Sequence, residues 1–130
     1  EELSELYDKN KKITCSINTN EIELDIDTAI PIGLILNELI TNIYKYAFDE
    51  NEAGRVNVSL QKDSDYYVLT VADNGKGLPA NIDIKHIKST GLKLVSRLSR
   101  QLGGRLYHEV ESGSVFTIRF LDSDGRRKID

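Results

Sequence analysis

The chain has 130 residues, 39% hydrophobic and 29% charged, with a formal net charge of −4. That length suits one globular domain and leaves no room for two independent cores. Apolar runs are short and broken by charge, none approaching the roughly 20 residues that span a bilayer, so the piece reads as soluble. A lone cysteine, Cys15, excludes an intrachain disulfide. With no basic leader or apolar signal core, this fits a reducing, cytoplasmic compartment. Cys15 sits in the alternating stretch Ile13-Thr14-Cys15-Ser16-Ile17 and reads as a small strand residue without chemistry.

Charge is unevenly placed. Residues 1–30 hold eight acids and three lysines, whereas residues 84–108 hold no carboxylate and carry Lys85, Lys88, Lys93, Arg97, Arg100 and Arg105. A solvated helix face and a phosphate site both explain this basic segment. The acidic remainder argues against nucleic acid as a partner.

In chain order, Leu3, Leu6 and Tyr7 have helical spacing and read as the tail of an upstream helix. The expected boundaries are therefore 1–10 for that tail and linker, 11–122 for the domain and 123–130 for a polar tail with nothing to bury. Residues 12–17 and 22–26 are strand candidates around an Asn18-Thr19-Asn20 turn, and residues from about 29 to 48 form a long helix with Pro31 in its first turn. Residues 55–62 alternate, with Val56, Val58 and Leu60 on one face. Asp63-Ser64 turns the chain into a second strand, 66–72, which makes a hairpin with the first. Residues 91–102 form a helix carrying Leu92, Val95, Leu98 and Leu102, stopped by Gly103-Gly104. Two strands, 105–110 and 114–121, follow. Hairpins in place of strict β/α alternation favour an α+β two-layer sandwich, a mixed and mostly antiparallel sheet covered on one face by helices, over a doubly wound sheet.

Two segments carry chemistry. On the long helix, Ile32, Leu36, Leu39, Ile40, Ile43 and Ala47 make the core-facing stripe, while Glu38, Asn42, Lys45 and Tyr46 fall at i, i+4, i+7, i+8 on another side. A carboxylate, an amide, a cation and a phenol in one patch suit a metal-nucleotide, with the Asn42 oxygen as a hard ligand for Mg²⁺ and Lys45 as a point charge for phosphate. An ordinary exposed helix face explains the same spacing. The second segment is Asp73-x-Gly75-x-Gly77, directly after an apolar strand. Its carboxylate suits the exocyclic amine of adenine, and its glycines allow close backbone approach to a flat ring. Further on, Ser89-Thr90-Gly91 opens the next helix with free N–H groups for phosphate.

The order of these motifs resembles the ATP-binding domain of histidine kinases, within the gyrase, chaperone, kinase and mismatch-repair ATPase superfamily with its Bergerat-type fold. The stretch from Leu36 through Asn42 to Phe48 is similar to the asparagine box, Asp73-Asn74-Gly75-Lys76-Gly77 to the first glycine box, and Gly91-Leu92-Lys93-Leu94-Val95 to the second. Gly113 through Phe120 resembles the closing strand. The resemblance implies that ATP and Mg²⁺ are bound, Asn42 holding the metal, Lys45 and Tyr46 the phosphates, and Asp73 the adenine amine. Gly75, Gly77, Gly91 and Leu92 would line the nucleotide, and Thr117 would assist through water. Catalytic work falls to Lys45 and to Glu38, which stands where the superfamily's hydrolases carry a water-activating glutamate and its kinases an acid or an amide.

Departures from the pattern are informative. Ile43 replaces a usually small residue after Asn42, Lys93 replaces the second glycine of its box, and only 13 residues separate Gly77 from Gly91. Such a short lid resembles the subgroup whose dimerisation domain is of the second type. His86, in the lid, and His108, read as a surface strand residue, are both poor phosphoacceptors, so the acceptor histidine is expected on an upstream dimerisation domain of the same polypeptide. A response regulator is then the downstream partner, the isolated domain is monomeric, and any membrane attachment belongs to segments outside this chain. Alternatives are an ATP hydrolase of the gyrase or chaperone type, a serine kinase of the anti-sigma type, and a domain that only senses nucleotide.

Overall fold

A computed structural model describes residues 2–8, 11–19, 22–48, 53–75, 90–110 and 112–128, with backbone alone for 2–8, 11, 12, 46, 90 and 128. Among these residues the strands form one six-stranded sheet in the order β1-β2-β3-β4-β6-β5. They are β1 (Glu2–Asp8), β2 (Lys11–Thr19), β3 (Ala53–Asp63), β4 (Tyr66–Asp73), β5 (Arg105–Val110) and β6 (Ser114–Phe120). Only β2 and β3 run parallel, because the helix α1 (Ile26–Tyr46) intervenes and returns the chain in the same direction. Every other neighbouring pair is antiparallel.

Strand alternation divides the sheet into two faces. Tyr67, Leu69 and Val71 of β4 share a buried cluster with Phe116, Ile118 and Phe120 of β6 and Val56 and Val58 of β3. Ile32, Ile35, Leu39 and Ile43 of α1 and Leu92, Val95 and Leu98 of α2 (Thr90–Gln101) complete it. Each such buried side chain contributes about 1.5–3 kcal/mol by leaving water. Both helices thus cover one face, as expected. The centre of the α1 stripe is Ile35, fully buried, while the expected Leu36 and Ile40 are only partly so.

Five expectations fail. Residues 2–8 form a strand, paired antiparallel from Glu2↔Ile17 to Asp8↔Lys11, and not the end of a helix. Seven residues are too few to sustain a helix alone, whereas the edge of β2 offers a row of unpaired backbone groups. Residues 22–25 form no strand; Ile22 and Leu24 pack against the core and Asp25, extended at φ −66° and ψ 161°, opens α1 at Ile26. That earlier start puts Pro31 in the second turn of α1, where the ring removes one intrahelical hydrogen bond. By length and composition Ile26–Lys45 is also long and apolar enough to cross a membrane, contrary to expectation. Its buried row against the sheet and its polar stripe identify it instead as the core helix of this domain.

The polar tail is the fifth. Residues Ser123–Lys128 form a short helix, α3, opened by Asp122, whose Oδ1 accepts the Gly125 N–H at 2.8 Å. The Ser123 hydroxyl donates to Asp25 Oδ2 at 2.5 Å, and the Thr28 hydroxyl donates to Asp25 Oδ1 at 2.8 Å. One carboxylate thereby ties the last helix to the start of α1. The Ser123 hydroxyl, aided by Thr28, draws the Asp25 carboxyl down from 3.8 to about 2. A folded-state pKa below the unfolded one stabilises above the unfolded value and is lost as pH falls through the folded one. Asp25→Ala is therefore expected to lower the thermal midpoint at pH 7, with the gap to wild type closing between pH 3.8 and about 2. A gap that stays constant over that range would remove the carboxylate from this role.

Candidate functional site

β4 lies in the middle of the sheet, between β3 and β6, and its period-2 row Tyr67, Leu69, Val71 ends in Asp73. The same alternation that buries three apolar side chains carries a carboxylate inside, where it is only 6% exposed. Asp73 Oδ1 accepts the Gly75 N–H at 2.8 Å, and the Ser114 N–H also donates to this carboxylate. Oδ2 is buried with no hydrogen-bond partner among the described residues. Burial pushes the Asp73 carboxyl above its ordinary value; the two N–H groups and the charge of His108 oppose that shift without cancelling it. A buried acceptor left unpaired costs about 1–3 kcal/mol, which a ligand donor would recover.

The loop that follows is held by its ends. Asn74 Oδ1 accepts the Arg55 N–H at 2.8 Å, and the Asn74 N–H donates to the Arg55 carbonyl at 3.2 Å. A Cβ at position 75 would run into the carbonyl of Ala47, the C-cap of α1. Glycine at this point lets the loop pass under the end of α1, beside the helix that carries the polar stripe.

On that stripe Glu38 and Asn42 are half-buried and Lys45 is exposed. The start of α2 is pressed against them: a Cβ at position 91 would stand 2.5 Å from Glu38 Oε2 and 3.5 Å from Asn42 Nδ2. Gly91 is thus a contact between the helices and not only a loop hinge. Asn42 Nδ2 is the second buried polar atom with no partner among the described residues. The two orphaned atoms sit on α1 and β4, elements in direct contact.

The structure therefore brings together Asp73 and Gly75 on one side and Glu38, Asn42 and Gly91 on the other, with Lys45 further along the same helix. Leu92 is buried in the core, which leaves only its backbone for a ligand. Thr117 is a correction: it pairs with Thr70 on the sheet face opposite Asp73, because β6 buries Ser114, Phe116, Ile118 and Phe120 on the helix side. The residue of β6 beside Asp73 is Ser114, 1% exposed, preceded by Gly113, where a Cβ would meet the Asp73 carbonyl. Gly77, His86, Lys85, Lys88 and the Tyr46 side chain lie outside the described residues.

His108 is the second correction. It is half-buried on the helix side of β5, its ring stacked on Phe116 at 4.6 Å, with Nε2 sharing a hydrogen bond with Ser114 Oγ at 3.2 Å. The alternation Leu106, His108 marks that face, since Leu106 packs against the core.

A metal cage is absent among the described residues, where no three His, Cys, Asp or Glu side chains gather. The unpaired Asn42 Nδ2 is a donor suited to a phosphate oxygen, while the amide oxygen of the same side chain is the hard ligand type for an ion that arrives with its own phosphate and water ligands.

A central strand ending in a buried, half-satisfied carboxylate, faced by a polar helix stripe and a glycine-opened helix, defines a nucleotide-binding α/β sandwich. Residues 27–124 match the family described as histidine kinase-, DNA gyrase B- and HSP90-like ATPase, and the chain belongs to that family. It is similar to blue-light-activated histidine kinase 2 of Erythrobacter litoralis, 29% identical over 111 residues, which cover 85% of this chain and 32% of that protein. It is also similar to the sensor histidine kinase PdtaS of Mycolicibacterium smegmatis, 32% identical over 95 residues, 71% of this chain and 19% of the relative. The solved structure of the Erythrobacter litoralis EL346 blue-light activated histidine kinase superposes with a TM-score of 0.80 at 26% identity, covering 88% of this chain and 37% of that one. Acinetobacter baumannii histidine kinase AdeS, at 22% identity and a TM-score of 0.71, shares the fold. The chain thus spans about a third or less of the curated relatives it matches.

The raised Asp73 pKa has a consequence for stability. A folded-state pKa above the unfolded one stabilises below the unfolded value and is lost as pH rises through the folded one, so the ionised carboxylate is a liability at neutral pH. Asp73→Asn keeps an acceptor for the Gly75 N–H and should raise the thermal midpoint of the nucleotide-free protein at pH 7. The gain should vanish below pH 3.8. A variant less stable than wild type at pH 7 would contradict the burial argument.

Proposed function

We propose that this chain positions Mg²⁺-ATP for transfer of the γ-phosphoryl group to a histidine on a dimerisation domain upstream in the same polypeptide, as the catalytic domain of a two-component histidine kinase. The observation that carries this reading is the unpaired Asp73 Oδ2, a buried acceptor at the end of an apolar strand, shaped for the amine of adenine. The ribose and triphosphate then run toward the polar stripe of α1. There Asn42 holds the metal, Lys45 and Tyr46 meet the phosphates, and the backbone at Gly91 and Leu92 closes over them. Gly77 is the remaining glycine that lines the nucleotide. When bound, Mg²⁺ neutralises charge on the phosphate oxygens.

In the transfer, a histidine ring nitrogen attacks the γ-phosphorus in line, the bond from γ-phosphorus to the bridging oxygen breaks, ADP leaves, and the ring loses a proton. Glu38, half-buried beside the start of α2, orients the incoming ring. The phosphorylated histidine then supplies a response regulator. Because the dimer contact belongs to the acceptor helices, the isolated domain is monomeric, and dependence on ATP makes it cytoplasmic.

With a purified dimerisation domain supplied in trans, the chain should place acid-labile phosphate on that domain's histidine. Asp73→Asn should abolish the transfer by weakening ATP binding, measured by calorimetry, at least tenfold, the scale of about 1.4 kcal/mol. Asn42→Ala should reduce affinity in Mg²⁺ far more than in a chelator. Acid-stable phosphate, or equal loss with and without metal, would refute the acceptor or the ligand assignment respectively.

A further inference from the structure

Behind Asp73 lies a polar line that nucleotide binding does not by itself require. The Ser114 N–H donates to the Asp73 carboxylate, and the Ser114 hydroxyl shares its hydrogen bond with His108 Nε2 at 3.2 Å. All three groups are wholly or partly buried, and Phe116 holds the imidazole by stacking on it at 4.6 Å. The register accounts for this convergence: His108 is paired with Phe116, one alternation from Ser114, on the face that ends in Asp73.

We propose that His108 is a positioning residue for the nucleotide base, orienting the Ser114 hydroxyl beside Asp73 and making nucleotide affinity fall when the imidazole is protonated. This rests on the reading of Asp73 as the base-binding carboxylate. A neutral imidazole has a bare nitrogen to accept a hydroxyl proton. An imidazolium is a donor at both nitrogens and forces the Ser114 hydroxyl hydrogen away from the ring. Protonation therefore resets the polar wall next to the one unpaired oxygen of the pocket.

The direction of the coupling follows from solvation. Burial already holds His108 below the ordinary imidazole range, and the Asp73 charge opposes that effect. A base seated on Asp73 excludes more water and engages the opposing carboxylate, so both changes favour the neutral ring. Proton and nucleotide consequently compete, and the competition is reciprocal. Among the described residues the charged neighbours are few. Asp73 faces His108 from β4; β6 presents the uncharged Ser114 and Phe116. On β5 itself Arg105 and Glu109 alternate to the other face, and on α2 Lys93, Arg97 and Arg100 are exposed.

The test follows ATP affinity by calorimetry, with Mg²⁺, in wild type, His108→Gln and His108→Leu at several pH values. Glutamine replaces Nε2 by a neutral group that still bonds Ser114, so its affinity at pH 7.5 should match wild type. The ratio of wild-type to His108→Gln affinity should then fall progressively as pH drops from 7.5 through the range in which His108 takes up its proton. Titration of the ATP phosphates is common to both proteins and cancels in the ratio. His108→Leu should bind more weakly at every pH because Ser114 loses its partner. On the unmutated chain, the His108 ring proton observed by NMR should titrate at lower pH with ATP than without it.

A pH-independent ratio, or a His108 pKa that ATP leaves unchanged or raises, would overturn the proposal while leaving the base site intact. Undiminished ATP binding by Asp73→Asn would overturn the base site and this inference with it.

Discussion

The Asp73 carboxylate, buried with one oxygen anchored and the other unpaired, is the constraint around which the site is arranged. β4 must be central and apolar for its last side chain to be dry. The backbones of positions 75 and 113 must come so close to Ala47 and to Asp73 itself that neither tolerates a Cβ without movement. The energetic penalty of the unpaired oxygen is small against the burial of the surrounding core, which makes a stored vacancy for a donor affordable in a domain of this size.

The opposite wall is built on a different principle. α1 buries one row against the sheet and turns Glu38 and Asn42 toward the start of α2, with Lys45 beyond them. Position 91 lacks a side chain, so the helix N-terminus comes within contact distance of that pair. On the proposed reading, nucleotide affinity and phosphoryl chemistry are divided between a strand end that recognises the base and a helix pair that handles charge. The two are fastened where Gly75 passes the end of α1.

Much of this was legible in sequence because it depends on short-range periodicity. Alternation marked β3 and β4, helical spacing gave Glu38, Asn42 and Lys45 a common side, and a carboxylate-glycine pattern after an apolar strand singled out the buried carboxylate of Asp73. What escaped depends on contacts between distant segments. β1 exists because β2 has a free edge, not because residues 2–8 favour a strand. α3 is held by a hydrogen bond between Asp25 and Ser123, 98 residues apart. The resemblance indicates Thr117 and is silent on Ser114, because which face of β6 each occupies is fixed by register with β4. His108 was taken for a surface residue for the same reason, although the neighbouring Leu106 already marked its face as the inner one.

The central claim, that a nucleotide base seats on Asp73, is tested most directly by the amide NMR signals of Gly75 and Ser114, the two N–H groups that donate to that carboxylate. Titration with Mg²⁺-ATP should shift both along one saturable curve, and Mg²⁺ with inorganic triphosphate, which lacks a base, should leave them in place. Saturation by ATP with both amides unmoved, or equal shifts with triphosphate, would contradict the account.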